Sequence, residues 1–189
     1  MGKLELQVQM SVDGFISGPK GEMDWMTFDW DDALKECVTE ITTPIDCIVL
    51  GRKLAQGFIP HWAAVAANPD DPEFTAGKKF TDTSKVVFTK TLGRSEWDNT
   101  ILAKGDLVDE ISGLKEQDGN DIIAYGGGTF VSALLKHGLI DELNLFVNPV
   151  ALGAGMPIFR DLESRQKFVL ETVRAFSCGI VLVRYRKAA

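Results

Sequence analysis

The sequence predicts an α/β fold in which helices cover both faces of a mixed, mainly parallel sheet and an antiparallel strand pair closes the C-terminus. Three short apolar runs each end at a glycine or polar loop, as buried parallel strands do. Amphipathic patterns at helical spacing lie between such runs, and two alternating segments follow one another near the C-terminus. The 189 residues suit one domain, which we expect to span residues 1–189.

The N-terminal elements are predicted in chain order. Residues 3–10 alternate polar and apolar side chains, which indicates a strand, and a loop punctuated by glycines follows over residues 11–21. From Asp31 to Ile41 the apolar residues recur at helical spacing. Acidic residues stand near the N-terminal end of this segment, where caps are preferred. We therefore expect a strand, a long loop and an amphipathic helix.

The rest of the chain continues the alternation. Buried strands are predicted at residues 47–50, 86–89 and 121–125, and a second amphipathic helix begins near Phe130. Residues 66–84 contain prolines and acidic residues and predict a surface excursion with one short helix. Later strands are predicted at residues 142–147, 168–173 and 180–185, and the last two form the antiparallel pair.

Composition limits the classes of function. The formal net charge is −7, which is the wrong sign for gathering nucleic-acid backbones. No run approaches the roughly 18 apolar residues that a membrane span requires, and the N-terminus lacks the apolar core of a signal peptide. Cys37, Cys47 and Cys178 are an odd number without CxxC spacing, so we expect neither a disulfide framework nor a metal site. We expect a cytoplasmic protein that binds neither nucleic acid nor membrane.

The clearest candidate for a ligand site is the segment from Tyr125 to Phe130. It follows a buried strand and opens a helix, whose free N–H groups and positive dipole end favour phosphate. The alternative is a tight strand-to-helix turn without a ligand, although one glycine would suffice for that. The segment does not match GxGxxG, because Val131 stands at the last glycine position. The chain also has no P-loop, since Lys79 follows Gly77-Lys78.

Cations follow two of the other buried strands. Gly51-Arg52-Lys53 comes directly after one strand, and Thr89-Lys90-Thr91 after the next. Isolated surface cations at strand ends are common and carry little weight by themselves. The carboxyl ends of parallel strands meet at one edge of the sheet, so these groups and the glycine segment are expected together. Their joint occurrence favours a phosphate-rich ligand.

At this point the sequence resembles the dihydrofolate-reductase-like superfamily, and within it the reductase domain of bacterial riboflavin-pathway deaminase-reductases. The resemblance covers essentially the whole chain and implies a three-layer α/β/α fold. The segments that carry it are 11–16 (SVDGFI), 51–53 (GRK), 85–92 (KVVFTKTL), 126–129 (GGGT) and 147–159 (VNPVALGAGMPIF).

The resemblance implies NADPH as the hydride donor and assigns residues to its parts. Gly51, Arg52 and Lys53, with Thr89, Lys90 and Thr91, would lie on the adenosine 2′-phosphate side. A cis peptide bond is implied between the first two glycines of the glycine segment, and Leu54 stands where relatives usually have threonine. Ile16 and Ser17 would lie near the nicotinamide. The pyrophosphate would be held by Gly126, Gly127, Gly128, Thr129 and Phe130.

The substrate side is less defined. The resemblance assigns Asp13 and Trp25 to substrate binding, and relatives that reduce dihydrofolate carry an acid on the first helix. The matching acid here is ambiguous among Asp29, Asp31 and Asp32, with Asp32 and Asp29 as catalytic candidates. An N-cap role is the alternative for any of the three, and a water held by Trp25 is an alternative proton source.

Three functions therefore stand open. The first is an NADPH-dependent reductase of the riboflavin-biosynthesis type, acting on a small heterocyclic or sugar-phosphate substrate. The second is reduction of dihydrofolate or another pteridine. The third is NADPH binding or protein interaction without turnover. The resemblance also implies a homodimer through the C-terminal strands, in which Val181, Val183 and Tyr185 alternate with Leu182 and Arg184.

Overall fold

In the computed structural model, which describes residues 2–117 and 121–188, eight strands form one sheet. The strand order is β4-β3-β2-β5-β1-β6-β8-β7, with strands numbered along the chain. The expectation of one domain over residues 1–189 stays a prediction, because Met1, residues 118–120 and Ala189 lie outside the described residues. The strands are β1 Leu4–Ser11, β2 Ile45–Gly51, β3 Ser84–Phe88, β4 Thr100–Ala103, β5 Asp121–Tyr125, β6 Glu142–Asn148, β7 Phe168–Ala175 and β8 Val181–Lys187.

The first six strands are mutually parallel. β8 is antiparallel to β6, and β7 pairs antiparallel with β8 across a turn in which Gly179 has a φ of 92°. The mixed sheet with an antiparallel C-terminal pair is therefore as predicted. The helices are α1 Asp32–Thr42, α2 Arg52–Ala66, α3 Phe74–Asp82, α4 Leu107–Glu116 and α5 Gly128–Lys136.

Two apolar layers hold the helices to opposite faces of the sheet. On one face, Val131 and Leu134 of α5 and Ile111 of α4 pack against Leu6 and Val8 of β1. On the other face, residues of α1, α2 and α3 pack against neighbouring strands; the residues of this layer include Leu34, Cys37, Ile59, Phe80, Ile48, Ile123 and Phe146. The three-layer α/β/α prediction is confirmed, and the buried apolar area of both layers stabilises the fold.

Three elements were not predicted from the sequence. β4 has only four residues, too few for a period to be recognised, and α4 follows it after a three-residue loop. α2 contains Gly57 and Pro60, residues that ordinarily argue against a helix interior. It forms nevertheless because Ala55, Ile59 and Val65 are buried against the sheet and α3. Within the described residues, no helix is both long and apolar enough to cross a membrane.

Candidate functional site

The site is built at the edge where the parallel strands end. β5 ends at Tyr125, and the chain turns at Gly127, whose φ of 95° favours glycine, into α5. No side chain caps the N-terminus of α5, which leaves its first backbone N–H groups without a side-chain hydrogen bond. A Cβ built on Gly126 would meet nothing within 4 Å, so a ligand can approach the backbone there. This arrangement fits a phosphate group.

The cis peptide bond expected between Gly126 and Gly127 is absent. The described residues contain no cis peptide bond, and the turn is made instead by the positive φ of Gly127. Gly128 is required for a different reason. A Cβ there would overlap the side chain of Met156, which packs against the start of α5.

The β2–α2 junction lies against the glycine turn. A Cβ at Gly51 would lie only 2.9 Å from the Cβ of Phe130, and one at Gly127 would lie 3.7 Å from that of Leu54. Arg52 and Lys53 form the first turn of α2, which also lacks a side-chain cap. The Arg52 guanidinium donates to Gln56 Oε1 at 3.2 Å. Leu54, which stands where relatives usually have threonine, therefore packs next to the glycine turn.

Thr89, Lys90 and Thr91 follow β3 at the same edge. Thr89 is buried, and its Oγ1 accepts hydrogen bonds from the backbone N–H groups of Thr91 and Leu92, both at 3.1 Å. Thr89 therefore holds its own loop in shape, whereas Lys90 and Thr91 are exposed. The ring of Phe88 lies 5.1 Å from that of Phe130, which joins this loop to α5.

A cavity of about 310 Å³ opens beside this loop, between the ends of β3 and β4. Lys90 and Lys104 both line it, and Asp106 caps α4 at its margin by accepting from the N–H groups of Val108 and Asp109. Sequence reasoning missed Lys104 because it missed β4. The signal was present in the apolar residues Leu107, Val108, Ile111 and Leu114, which recur at helical spacing after Asp106.

Met156 connects Ile16 and Ser17 to the glycine turn. The Ile16 N–H donates to the Met156 carbonyl at 3.0 Å, and the Met156 N–H donates to the Ser17 carbonyl at 2.9 Å. Both residues are buried. Because Met156 also contacts Gly128, the loop after β1 and the start of α5 share one neighbour. The structure thus brings together the residues assigned to the nicotinamide and the pyrophosphate.

Asp13 joins two loops at the β1–β6 half of the edge. Its carboxylate accepts from Ser11 Oγ at 2.6 Å, and from the N–H groups of Gly153 at 2.7 Å and Leu152 at 3.1 Å. The Ser11 hydroxyl first, and then the Gly153 and Leu152 amides, lower the pKa of Asp13 to about 2. All of these contacts hold the loops; a contact of Asp13 with substrate stays a prediction.

The candidate acids take different positions. Asp31 is the N-cap of α1: it accepts from the Leu34 N–H at 2.8 Å and from Ser177 Oγ at 2.6 Å. The Ser177 hydroxyl and then the Leu34 amide lower its pKa. Asp32, in the first turn of α1, and Asp29, in the loop before it, are exposed. The catalytic assignment of Asp32 and Asp29 stays a prediction.

Trp25 is half-buried, and its indole Nε1 donates to the Glu22 carbonyl at 3.0 Å. The loop from Glu22 to Asp31, which carries Trp25, is tied to β6, because the Thr27 N–H donates to Asn148 Oδ1 at 3.0 Å. In the part of the chain that the structure describes, no three His, Cys, Asp or Glu side chains are grouped to hold a metal ion.

Comparison with known proteins identifies the family. The model of the RibD C-terminal domain matches residues 3–182. The chain belongs to this family. A relative in Bacillus subtilis (strain 168), the uncharacterized protein YyaP, is 33% identical over 97% of this chain and 94% of its own length.

Solved structures of RibD-like proteins have the same dihydrofolate-reductase-like fold. A protein of Shewanella sp. PV-4, provisionally assigned to riboflavin biosynthesis, superposes with a TM-score of 0.73 at 23% identity, over the full length of both chains. The deaminase/5-amino-6-(5-phosphoribosylamino)uracil reductase of Thermotoga maritima matches 99% of this chain and 57% of its own, with a TM-score of 0.70 at 21% identity. At these identities the structural likeness establishes the fold of this RibD-family chain.

Proposed function

We propose that this RibD-family protein is an NADPH-dependent reductase of a carbon–nitrogen or carbon–oxygen double bond in a small heterocycle or sugar derivative. The observation that carries the proposal is the convergence of phosphate-binding groups at one edge. Two helix N-termini without side-chain caps, those of α2 and α5, lie there with four cations. The cations are Arg52, Lys53, Lys90 and Lys104.

The groups present match the chemistry of NADPH. The N–H groups of α5 would hold the pyrophosphate, because their dipole and the open space at Gly126 favour a close anion. Arg52 and Lys90 would bind the 2′-phosphate, which NADH lacks. NADPH, when bound, supplies a hydride to the substrate carbon, and one proton from an acid or water reaches the substrate nitrogen or oxygen. Ile16 and Ser17 would exclude water from the nicotinamide.

Titration of the purified protein with NADPH and NADH, followed by tryptophan fluorescence, tests the cofactor. We expect NADPH to bind more tightly than NADH. The Arg52→Ala/Lys90→Ala variant should lose about tenfold in NADPH affinity and little in NADH affinity, because both removed groups would bind the extra phosphate. The Arg165→Ala/Lys35→Ala variant removes the same charges at exposed positions elsewhere and should keep the preference. Failure of both nucleotides to bind would contradict the proposal.

We also propose that the protein is a homodimer and acts in the cytoplasm. β7 lies at the edge of the sheet and exposes Val169, Leu170 and Val173. An exposed apolar edge strand is a surface that soluble proteins normally cover. All three cysteines are free thiols, which suits a reducing compartment.

A further inference from the structure

β1 has an unusual composition for its place in the sheet. It lies between β5 and β6, in parallel with both, and helices pack on both faces. Central parallel strands that are covered on both faces are normally apolar on both. Here Leu4, Leu6, Val8 and Met10 supply one face only. The other face, which α1 and α2 cover, carries what we call the polar row: Glu5, Gln7, Gln9 and Ser11.

Three polar atoms around the middle of the polar row have no hydrogen-bond partner in the described part of the chain. They are Gln7 Oε1, the Tyr125 hydroxyl and Asn144 Oδ1. The strand register places Gln7 beside Tyr125 of β5 and beside Asn144 of β6. Asn144 is fully buried, and Tyr125 and Gln7 are 8% and 9% exposed. Unpaired buried polar groups are costly and rare, so three on adjacent strands call for a partner from outside the chain, an ordered water or a ligand.

The Glu5 end of the row holds a carboxylate that protein groups already bind. Glu5 is buried, and one of its oxygens accepts from Asn144 Nδ2 at 3.0 Å and from Arg184 Nη2 at 3.4 Å. Burial first, and then the neighbouring Glu142 carboxylate, raise the pKa of Glu5. Of the three atoms without a partner, Gln7 Oε1 and Asn144 Oδ1 are acceptors, and the Tyr125 hydroxyl both donates and accepts. A fourth buried atom without a partner in the described residues, Arg184 Nε, is a donor and lies beside Asn144 in the strand register. Gln7 and Asn144 therefore call for a group that donates hydrogen bonds.

The polar row leads to the edge at which the strands end. Gln9 Oε1 accepts from Asn148 Nδ2 at 2.8 Å, and Asn148 Oδ1 accepts from the Thr27 N–H at 3.0 Å. Ser11 continues the row to Asp13. The outer end of the row therefore lies beneath the loop that precedes α1. Ser11 also donates its N–H to the carbonyl of Phe15 at 2.8 Å, so the row ends one residue from Ile16.

Charge divides the edge into two halves. The half formed by β2, β3 and β4 carries the four cations named above. The segment from Val12 to the first residue of α1, Asp32, borders the other half and contains six carboxylates and one lysine. Asp24, Asp29 and Asp32 are exposed and face solvent. Phosphate groups are attracted to the first half and repelled by the second.

We infer that the polar row is the floor of the site for the second substrate, and that this substrate is an uncharged or cationic compound that donates hydrogen bonds and carries no phosphate. The inference rests on the proposed function and narrows it. It separates this chain from the reductase of Thermotoga maritima, whose named substrate is phosphoribosylated. An amino or ring N–H edge of a heterocycle is the chemistry that Gln7 and Asn144 would recognise.

The first test needs no substrate. Gln7→Leu replaces the unpartnered amide by an apolar side chain of similar size. If the row exists for a ligand, the variant should be more stable, with a thermal midpoint raised by about 2–4 °C. If the amide serves the fold, the midpoint should fall, and the inference is wrong. Gln166→Leu is the matched control, because Gln166 donates to the Leu135 carbonyl and its loss should lower the midpoint.

The second test compares two probes on the protein saturated with NADP⁺. These are the phosphoribosylamino-uracil named for the Thermotoga maritima relative and the same compound without its phosphate. Calorimetry should give an affinity at least about tenfold higher for the compound without phosphate, and Gln7→Leu should weaken that binding. Equal or tighter binding of the phosphorylated compound would overturn the inference. The proposed function would survive that result, because the NADPH titration decides it separately.

The third test reverses two charges in the acidic segment before α1. Asp24→Lys/Asp29→Lys should shift the ratio of the two affinities toward the phosphorylated compound, and the shift should shrink at high salt. Asp46→Lys/Asp70→Lys changes the net charge equally at exposed positions elsewhere and should leave the ratio unchanged. A ratio that moves equally in both variants would assign the effect to overall charge and overturn the local explanation.

Discussion

At the scale of single residues, Asp13 shows that a side chain at the candidate site can use its hydrogen bonds to hold the fold. Its two oxygens bind Ser11, the last residue of β1, and Leu152 and Gly153 in the loop after β6. The sequence indicated an acid in the right loop. It could not indicate Leu152 and Gly153 as partners, because they lie 139 and 140 residues away along the chain. The N-cap of α1 is a similar case: the sequence left it open among Asp29, Asp31 and Asp32, and in the structure Asp31 takes it.

Asp13→Asn should destabilise the protein at neutral pH by an amount that disappears in acid. The pKa of Asp13 is lowered in the folded state to about 2, against about 3.9 when unfolded. Its contribution is therefore present above about pH 4 and is lost as the pH falls toward 2. Urea unfolding of both proteins at pH 7 and at pH 2.5 measures the difference. A difference that stays constant across this range would contradict the assignment.

At the scale of elements, the sequence predicted what is periodic and missed what is short or interrupted. The buried strands β2, β3 and β5 were found because parallel strands are apolar on both faces. α2 was missed because Gly57 and Pro60 interrupt its helical pattern of apolar residues. β4 was missed because four residues are too few to show a period. As a result Lys104 was absent from the predicted site, while the glycine turn and the loops after β2 and β3 were placed at the correct edge.

A pair of glycines in neighbouring elements should respond oppositely to alanine. Gly51→Ala, where β2 passes into α2, should cost about 1–3 kcal/mol, because the new Cβ would lie 2.9 Å from Phe130. Gly57→Ala, in the exposed interior of α2, meets nothing within 4 Å and should gain about 0.5–1 kcal/mol. Denaturant unfolding measures both. Equal effects would mean that packing against α5 does not constrain the junction.

At the scale of the whole molecule, the two edges of the sheet differ in what they leave exposed. β4 ends one edge and exposes Ile101, whereas β7 ends the other and exposes most of its length. Sequence patterning predicted the C-terminal pair. It could not tell which edge would stay uncovered, because that depends on strand order, which only the long-range pairing fixes.

Light scattering tests the proposed dimer. We expect a mass of twice 20.7 kDa for the unmodified chain. Leu170→Lys/Val173→Lys should reduce the mass to that of one chain, because two charges would be buried in the interface. Ile101→Lys places a charge on the opposite edge and should leave the dimer intact. A mass near 20.7 kDa for the unmodified chain would contradict the proposal.

The alternation along β1 separates two tasks within a single strand. Its even-numbered residues from Leu4 to Met10 belong to the folding core, and Gln7 and Gln9 face the opposite way. A change at residue 7 or 9 therefore leaves the core residues of the strand in place. Natural variation at those two positions would allow the scaffold to acquire a new ligand without first losing its ability to fold. The same spacing makes residues 7 and 9 the natural choice for a library that selects altered specificity.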